Sequence, residues 1–233
     1  MEDKEFETLE KKIKVRFKNK DLLRQAVVHR SYLNENPSFR LGHNERLEFL
    51  GDAVLELVVT DYLYHTFPDA PEGSMTSWRA SLVNSDMLSK IGSSIGLDPM
   101  LYLSRGEGKD AGSKARKYIV TNAFEALIGA IYLDRGYKTA EKFIHRFVLP
   151  ELPTILEKGL DIDPKSRFQE LAQEKMKITP RYEVLQETGP DHAKRFTVGI
   201  FLEKELIAKG EGTSKQEAQV SAAQKGLQAK GWI

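Results

Sequence analysis

The sequence predicts a two-domain protein: an all-α domain followed by a small α+β domain of order α-β-β-β-α. Three observations predict it. Apolar residues recur at three- and four-residue spacing up to about residue 158, the period of helices with one buried face. The stretch GLDIDPKS, with Gly159 and Pro164, then breaks that pattern. Beyond it, β-branched and aromatic residues alternate with polar ones, as in half-buried strands. The boundaries read as 1–158 for the first domain, 159–164 for a linker and 165–233 for the second.

In the first domain the periodic segments are NKDLLRQAVVHRSYLNE, HNERLEFLGDAVLELVVTDYLYHTF, SMTSWRASLVNSDMLSKIGSSIG, TNAFEALIGAIYLDRG and TAEKFIHRFVLPELPTILEK. Breakers such as Pro37, Pro68, Pro71, Gly96, Gly112 and Gly136 separate them. In the second domain, residues 165–176 read as a helix. RYEVLQETG, RFTVGIFLE and KELIAKGEGT read as strands, and 214–229 as a closing helix with Ser214 as N-cap. A three-stranded sheet covered on one face by the two helices buries both apolar sides.

Composition narrows the function classes. The 233 residues are 40% hydrophobic and 30% charged, enough apolar content for two cores. No apolar run is long enough to span a bilayer, and the N-terminus has no apolar signal region, so the expectation is a cytoplasmic protein without a membrane partner. With no cysteine there is no disulfide, thiolate zinc site or thiol nucleophile, so any metal is held by oxygen or histidine ligands. The net charge of +1 divides into +2 on 163–233 and −1 on the rest, so nucleic-acid binding has to be sought in where the charges sit.

The most informative stretch is HNERLEFLGDAVL, residues 43–55. On a helix, Glu45, Glu48 and Asp52 fall within about 60° of one another. Leu47, Leu50, Val54 and Leu57 gather on the other side, toward the core. Stacked acids repel one another, and a divalent cation relieves that cost. Gly51, in mid-helix at about 1 kcal/mol relative to alanine, suggests close approach of another backbone. In IVTNAFEALIGAIYLD, Asn122 and Glu125 are a polar pair inside a strongly apolar helix, and Ala123, Ala126, Gly129 and Ala130 admit a close neighbour. If the two helices pack, Glu48, Asp52, Asn122 and Glu125 ring one cation, and such hard oxygen donors suit Mg²⁺. The alternatives are a solvated acidic helix face for the first group and a capped or salt-bridged core acid for Glu125.

At these residues the sequence closely resembles the ribonuclease III family. NERLEFLGD stands at 44–52, with HRSY at 29–32, PEG at 71–73, RASLV at 79–83 and FEALIGAIYLDRGY at 124–137 in the family's order. The resemblance implies a homodimeric endonuclease of double-stranded RNA, active in rRNA and mRNA processing. It would use Mg²⁺ (or Mn²⁺ in its place), need no organic cofactor, and leave 5′-phosphate and 3′-hydroxyl ends. It assigns Glu48, Asp52 and Glu125 to principal catalytic acids, Glu45 to the signature acid one turn earlier, and Glu72 to the cleft and the dimer. The fourth principal acid of the family, usually aspartate, is Asn122 here. Leu57, Val58, Tyr62 and Tyr64 are candidates for the dimer surface, with an intrachain core as the alternative.

The C-terminal segment resembles the double-stranded-RNA-binding domain of bacterial members. Such domains read A-form shape through the minor groove by 2′-hydroxyl and phosphate contacts. The resemblance points to Gln169 and Glu170 on the first helix, to Pro190, Asp191, His192 and Lys194 in the loop between the first two strands, and to Lys215 at the last helix N-terminus. A cation in that first turn opposes the helix dipole and makes sense as a phosphate contact. Lys194 and Lys225 are weaker candidates, and Gln216 stands where relatives often have a second lysine. His192 is read as an RNA contact, since no second histidine lies at metal-ligand spacing. The competing classes are a catalytically weak RNA clamp, in which most of the acids would be lost, and a helical phosphohydrolase, which calls for HD-type histidine pairs that the sequence lacks.

Overall fold

The computed structural model describes residues 3–108, 112–158, 164–190 and 194–232. The chain divides into two compact units, Met1–Asp161 and Ile162–Ile233. The first is helical: α1 (Asp3–Ile13), α2 (Lys20–Ala26), α3 (Arg30–Glu35), α4 (Glu45–Thr66), α5 (Glu72–Val83), α6 (Ser85–Ile95), α7 (Arg105–Gly108), α8 (Lys114–Arg135), α9 (Tyr137–Phe147) and α10 (Leu152–Lys158).

Two segments that periodicity alone reads as continuous are each divided. The first breaks at Val27–His29, where Val28 bridges to Tyr102 and the His29 side chain caps α3 by accepting the Ser31 N–H. The second breaks at Asn84, whose side chain accepts the Met87 N–H at 2.9 Å and starts α6. α1 closes with the Val15 N–H on the Glu10 carbonyl, and Lys14 takes φ +56°, a left-handed position that costs an L side chain roughly 1 kcal/mol.

The core of this unit is one apolar cluster with α4 and α8 at its centre. Leu47, Val54, Leu55, Val58, Val59 and Leu63 are buried on α4. The sequence expectation placed Leu50 and Leu57 in that core; Leu50 is half-buried and Leu57 is 56% exposed. From α8 come Phe124, Leu127, Ile128 and Ile131. The helices meet backbone to backbone at two glycines. A Cβ at Gly51 would lie 1.8 Å from the Glu125 carbonyl oxygen, and one at Gly129 would lie 2.2 Å from that of Leu47. The close approach that Gly51 suggested is therefore α8.

In the second unit, α11 (Pro164–Met176) precedes β1 (Arg181–Thr188), β2 (Arg195–Leu202) and β3 (Glu205–Gly212), and α12 (Lys215–Lys230) follows. Pro164, expected in the linker, is the first residue of α11, where its missing N–H costs nothing. The sheet is antiparallel in the order β1-β2-β3, with Val184 opposite Val198 and Ile200 opposite Ala208. Phe168, Leu171 and Ala172 of α11, Ile200 and Leu202 of β2, and Ala222, Ala223 and Leu227 of α12 form its core. Ser214 caps α12, its Oγ accepting the Glu217 N–H at 3.1 Å.

Gly51→Ala drives a methyl into the α8 backbone and should destabilise the chain by about 3 kcal/mol or prevent folding, as overpacking without room to relax does. Denaturant unfolding monitored by circular dichroism measures it; a midpoint within error of the parent would contradict the close crossing.

Candidate active site

Glu48 and Asp52 project from α4 and Glu125 from α8 at the glycine crossing. Asn44 fixes where α4 begins: it is buried, its backbone N–H reaches the Val28 carbonyl and its side-chain amide donates to the Ala26 carbonyl at 3.1 Å. That anchor sets the phase of the helix and hence the direction of its acids. Glu45 and Glu48 stand in the first turn of α4, where the helix dipole favours negative charge.

The acids divide into two groups by partner. Glu45 is half in solvent, with Arg30 Nη1 at 3.4 Å and His43 Nδ1 at 3.6 Å. Glu48, Asp52 and Glu125 have no ion pair among the described residues, and Glu48 Oε2 is buried with no hydrogen-bond partner. Burial pushes the Glu125 carboxyl up to about 8, with the charges of Asp52 and Glu48 adding to it. Burial likewise raises Glu48, aided by Glu45 and Asp52, and raises Asp52, aided by Glu56. Glu48, Asp52 and Glu125 thus form one repelling group, as the two-helix reading of the sequence expects. They do not form a finished cage: among the described residues no three His, Asp or Glu side chains are closed to metal-ligating spacing. Asn122 lies one turn before Glu125 on α8, half-buried.

Glu72 stands elsewhere. It is the exposed first residue of α5, accepts from Thr76 Oγ1 at 3.0 Å, and lines a small groove of about 180 Å³ with Tyr64, Met75 and Arg79. Of the apolar residues considered for a dimer surface, Val58 is buried and Tyr62 packs against the core, while Leu57 and Tyr64 are exposed. Phe49, which periodicity does not single out, is 82% exposed. With Ala53, Leu57, Thr60 and Tyr64 it makes an outward stripe along α4, at helical spacing that is legible once the buried face is known.

In the second unit Gln169 and Glu170 are exposed on α11, beside an open polar groove of about 550 Å³ with Ser166, Gln173 and Lys177. Lys215 is exposed at the start of α12, its ammonium 5.8 Å from the centre of the Phe196 ring. Pro190 and Lys225 are exposed. Lys194 is only partly exposed and pairs with Glu187 at 2.9 Å, so its charge is already engaged. Asp191 and His192 lie outside the described residues.

A helical unit carrying unpaired acids at a helix crossing, joined to an α-β-β-β-α module, defines a class: a phosphodiester-cleaving nuclease with a duplex-RNA-binding module. The comparisons agree. The first unit matches the family "Ribonuclease-III-like" over residues 19–152, and the second matches "Double-stranded RNA binding motif" over 164–230. The chain is similar to a Ribonuclease 3 of Carboxydothermus hydrogenoformans, 46% identical over 222 residues, which are 95% of this chain and 94% of that one. It is also similar to a Ribonuclease 3 of Dehalococcoides mccartyi, 43% identical over 94% of this chain and 92% of that one. Among solved structures, a Campylobacter jejuni ribonuclease III nuclease domain matches with a TM-score of 0.57 at 39% identity, covering 64% of this chain and 99% of that domain. The chain belongs to the ribonuclease III family and is an endoribonuclease of double-stranded RNA. Among the described residues no helix is long and apolar enough to cross a membrane.

The raised carboxyls give a pH dependence with a definite sign. Glu125 titrates near 8 in the folded chain against 4.5 when exposed, so folding takes up a proton between those values and stability falls as pH rises through that window. Without divalent cations, unfolding free energy should therefore be about 1–2 kcal/mol higher at pH 6 than at pH 9, allowing for solvent access to the group. Glu125→Gln should remove most of that slope. Equal slopes for both proteins in denaturant titrations would contradict the burial of Glu125.

Proposed function

We propose that this chain cleaves duplex RNA at the α4–α8 crossing, with a divalent cation held by Glu48, Asp52, Glu125 and the Asn122 amide oxygen. The observation that carries the reading is the unpartnered buried Glu48 Oε2 beside a Glu125 carboxyl pushed to about 8. Such a site is short of one positive charge, and the donors are all hard oxygens, which suits Mg²⁺ with Mn²⁺ as a substitute. When bound, the cation supplies Lewis acidity toward water and charge neutralisation at the phosphate. The protein's own part is to desolvate the three carboxyls, hold them on two rigid helices, and keep a proton on Glu125 at neutral pH. Glu45, steadied by Arg30 and His43, lies one turn away and orients the approach to the acids. The products are 5′-phosphate and 3′-hydroxyl ends.

Gln169 and Glu170 suit 2′-hydroxyl contacts along the polar groove of α11, Lys215 suits a phosphate at the N-terminus of α12, and Pro190, Asp191 and His192 suit a second groove contact. Lys194 stays a weak RNA contact, because Glu187 competes for it. The stripe Phe49, Leu57, Tyr64 is the surface through which two chains pair, and Glu72 lies beside Tyr64 at that face. The nuclease domain of Campylobacter jejuni ribonuclease III likewise has a region involved in dimer formation. Processing of rRNA and mRNA in the cytoplasm is the role this reading fits.

Three experiments test it. On a perfect RNA duplex, cleavage should require Mg²⁺ and stop with EDTA. Asp52→Ala should lose cleavage by at least about 10³-fold while holding duplex affinity within about twofold, and loss of both together in a folded protein would count against the assignment. Asn122→Asp adds a charge and a stronger donor beside Glu125. It should lower the Mg²⁺ concentration for half-maximal cleavage several-fold; superimposable Mg²⁺ titrations of parent and variant would remove residue 122 from the metal shell.

A further inference from the structure

We infer that the basic strip Lys14–Arg16–Lys18 is a second RNA-binding surface, turned away from the acid site, that grips the phosphate backbone of a flanking helix in a folded RNA substrate. The inference rests on the duplex-cleaving function and adds a site to it. The sequence KKIKVRFKNK at 11–20 alternates in burial: Ile13, Val15 and Phe17 are buried, while Lys14, Arg16 and Lys18 are exposed. The alternation in burial leaves Lys14, Arg16 and Lys18 together on the solvent side of the chain.

Several cations of the first unit are already engaged. Lys20, Arg24, Arg40, Lys90, Arg116 and Lys117 each face a carboxylate. Lys14, Arg16 and Lys18 have no ion pair among the described residues. Glu10, the nearest buried acid, is already engaged by the Phe17 N–H at 2.7 Å and by Lys20. With Glu7, Glu10 and Lys20, Lys14 and Arg16 line an open groove of about 520 Å³. The strip is also held in place. Asp134 accepts the Lys18 and Asn19 backbone N–H groups at 2.8 Å each, and Arg135 donates to the Arg16 carbonyl at 2.7 Å. Lys14 keeps a charged side chain at a left-handed cap position where glycine is easier.

Position separates the strip from the acid site. Asp134 follows Glu125 on α8 by nine residues, roughly 14 Å along the axis and half a turn around it. The anchor of the strip therefore leaves α8 on the side opposite Glu125. A duplex seated on the acids does not cover it, whereas a second helix of a folded RNA has room to do so.

The test compares the full chain with the variant Lys14→Gly, Arg16→Gln, Lys18→Gln, using a short perfect duplex and an RNA in which that duplex is flanked by a further helix. Glycine suits the conformation at 14, so folding is not impaired. On the short duplex, cleavage in Mg²⁺ should be unchanged. On the flanked RNA, KM should rise about tenfold, and the slope of log affinity against log salt, measured in EDTA, should fall by about 2. Equal behaviour of parent and variant on the flanked RNA overturns the proposal, including the case in which the strip instead serves an acidic protein. Equal weakening on both RNAs overturns it too, since the strip would then belong to the cleavage groove. A parent chain that binds neither RNA overturns the proposal together with the functional reading, and that is seen before any variant is compared.

Discussion

The contact between the α4 and α8 backbones is the constraint on which the first unit depends. Two helices come this close only where neither presents a Cβ, and Gly51 and Gly129 supply that on both sides of the crossing. The closeness does two things at once. It lets Leu47 and Val54 interlock with Phe124 and Leu127 in one core, and it places Glu48 and Asp52 within the electric field of Glu125. The dehydration that stabilises the apolar core is the same dehydration that raises the carboxyls. Packing and chemistry are two results of one geometry.

Charge is distributed to the same end. At several places on the helical unit acids and bases are matched at the surface, where each pair adds little to stability. At the crossing the acids are left unmatched. Uncompensated charge next to a core is costly, and the fold tolerates it because α4 and α8 are fixed along their length by apolar contacts that do not involve the acids. The site stands on rigid helices, so the repulsion is held in place and is not relieved by movement of a loop.

Much of this was legible in the sequence. Period-three-to-four apolar spacing located most of the helices, though not α1, alternation located the strands, and Gly51 in mid-helix announced a neighbour's backbone. Glu48, Asp52 and Glu125 were legible because acids at helical spacing share a face, and because Glu125 sits in an apolar segment. What was hidden depends on partners distant in sequence. The division at Val28 arises from its bridge to Tyr102, and the capping role of Asn84 looks in the sequence like one polar residue among several. Lys194 looked free until β1 brought Glu187 beside it. Leu57 looked like core, and Phe49 drew no notice, because the rotation of α4 about its own axis is set by the two glycines and by Asn44, and periodicity alone does not reveal it.

That rotation links two surfaces. Phe49 lies between Glu48 and Asp52 in the chain, so the outward stripe of α4 and its acids share the same helical turns. A rigid helix cannot roll to suit one face without carrying the other with it. Anything that packs on Phe49, Leu57 and Tyr64 therefore bears on the same rigid rod that carries Glu48 and Asp52, held in its rotation by the glycine crossing and Asn44.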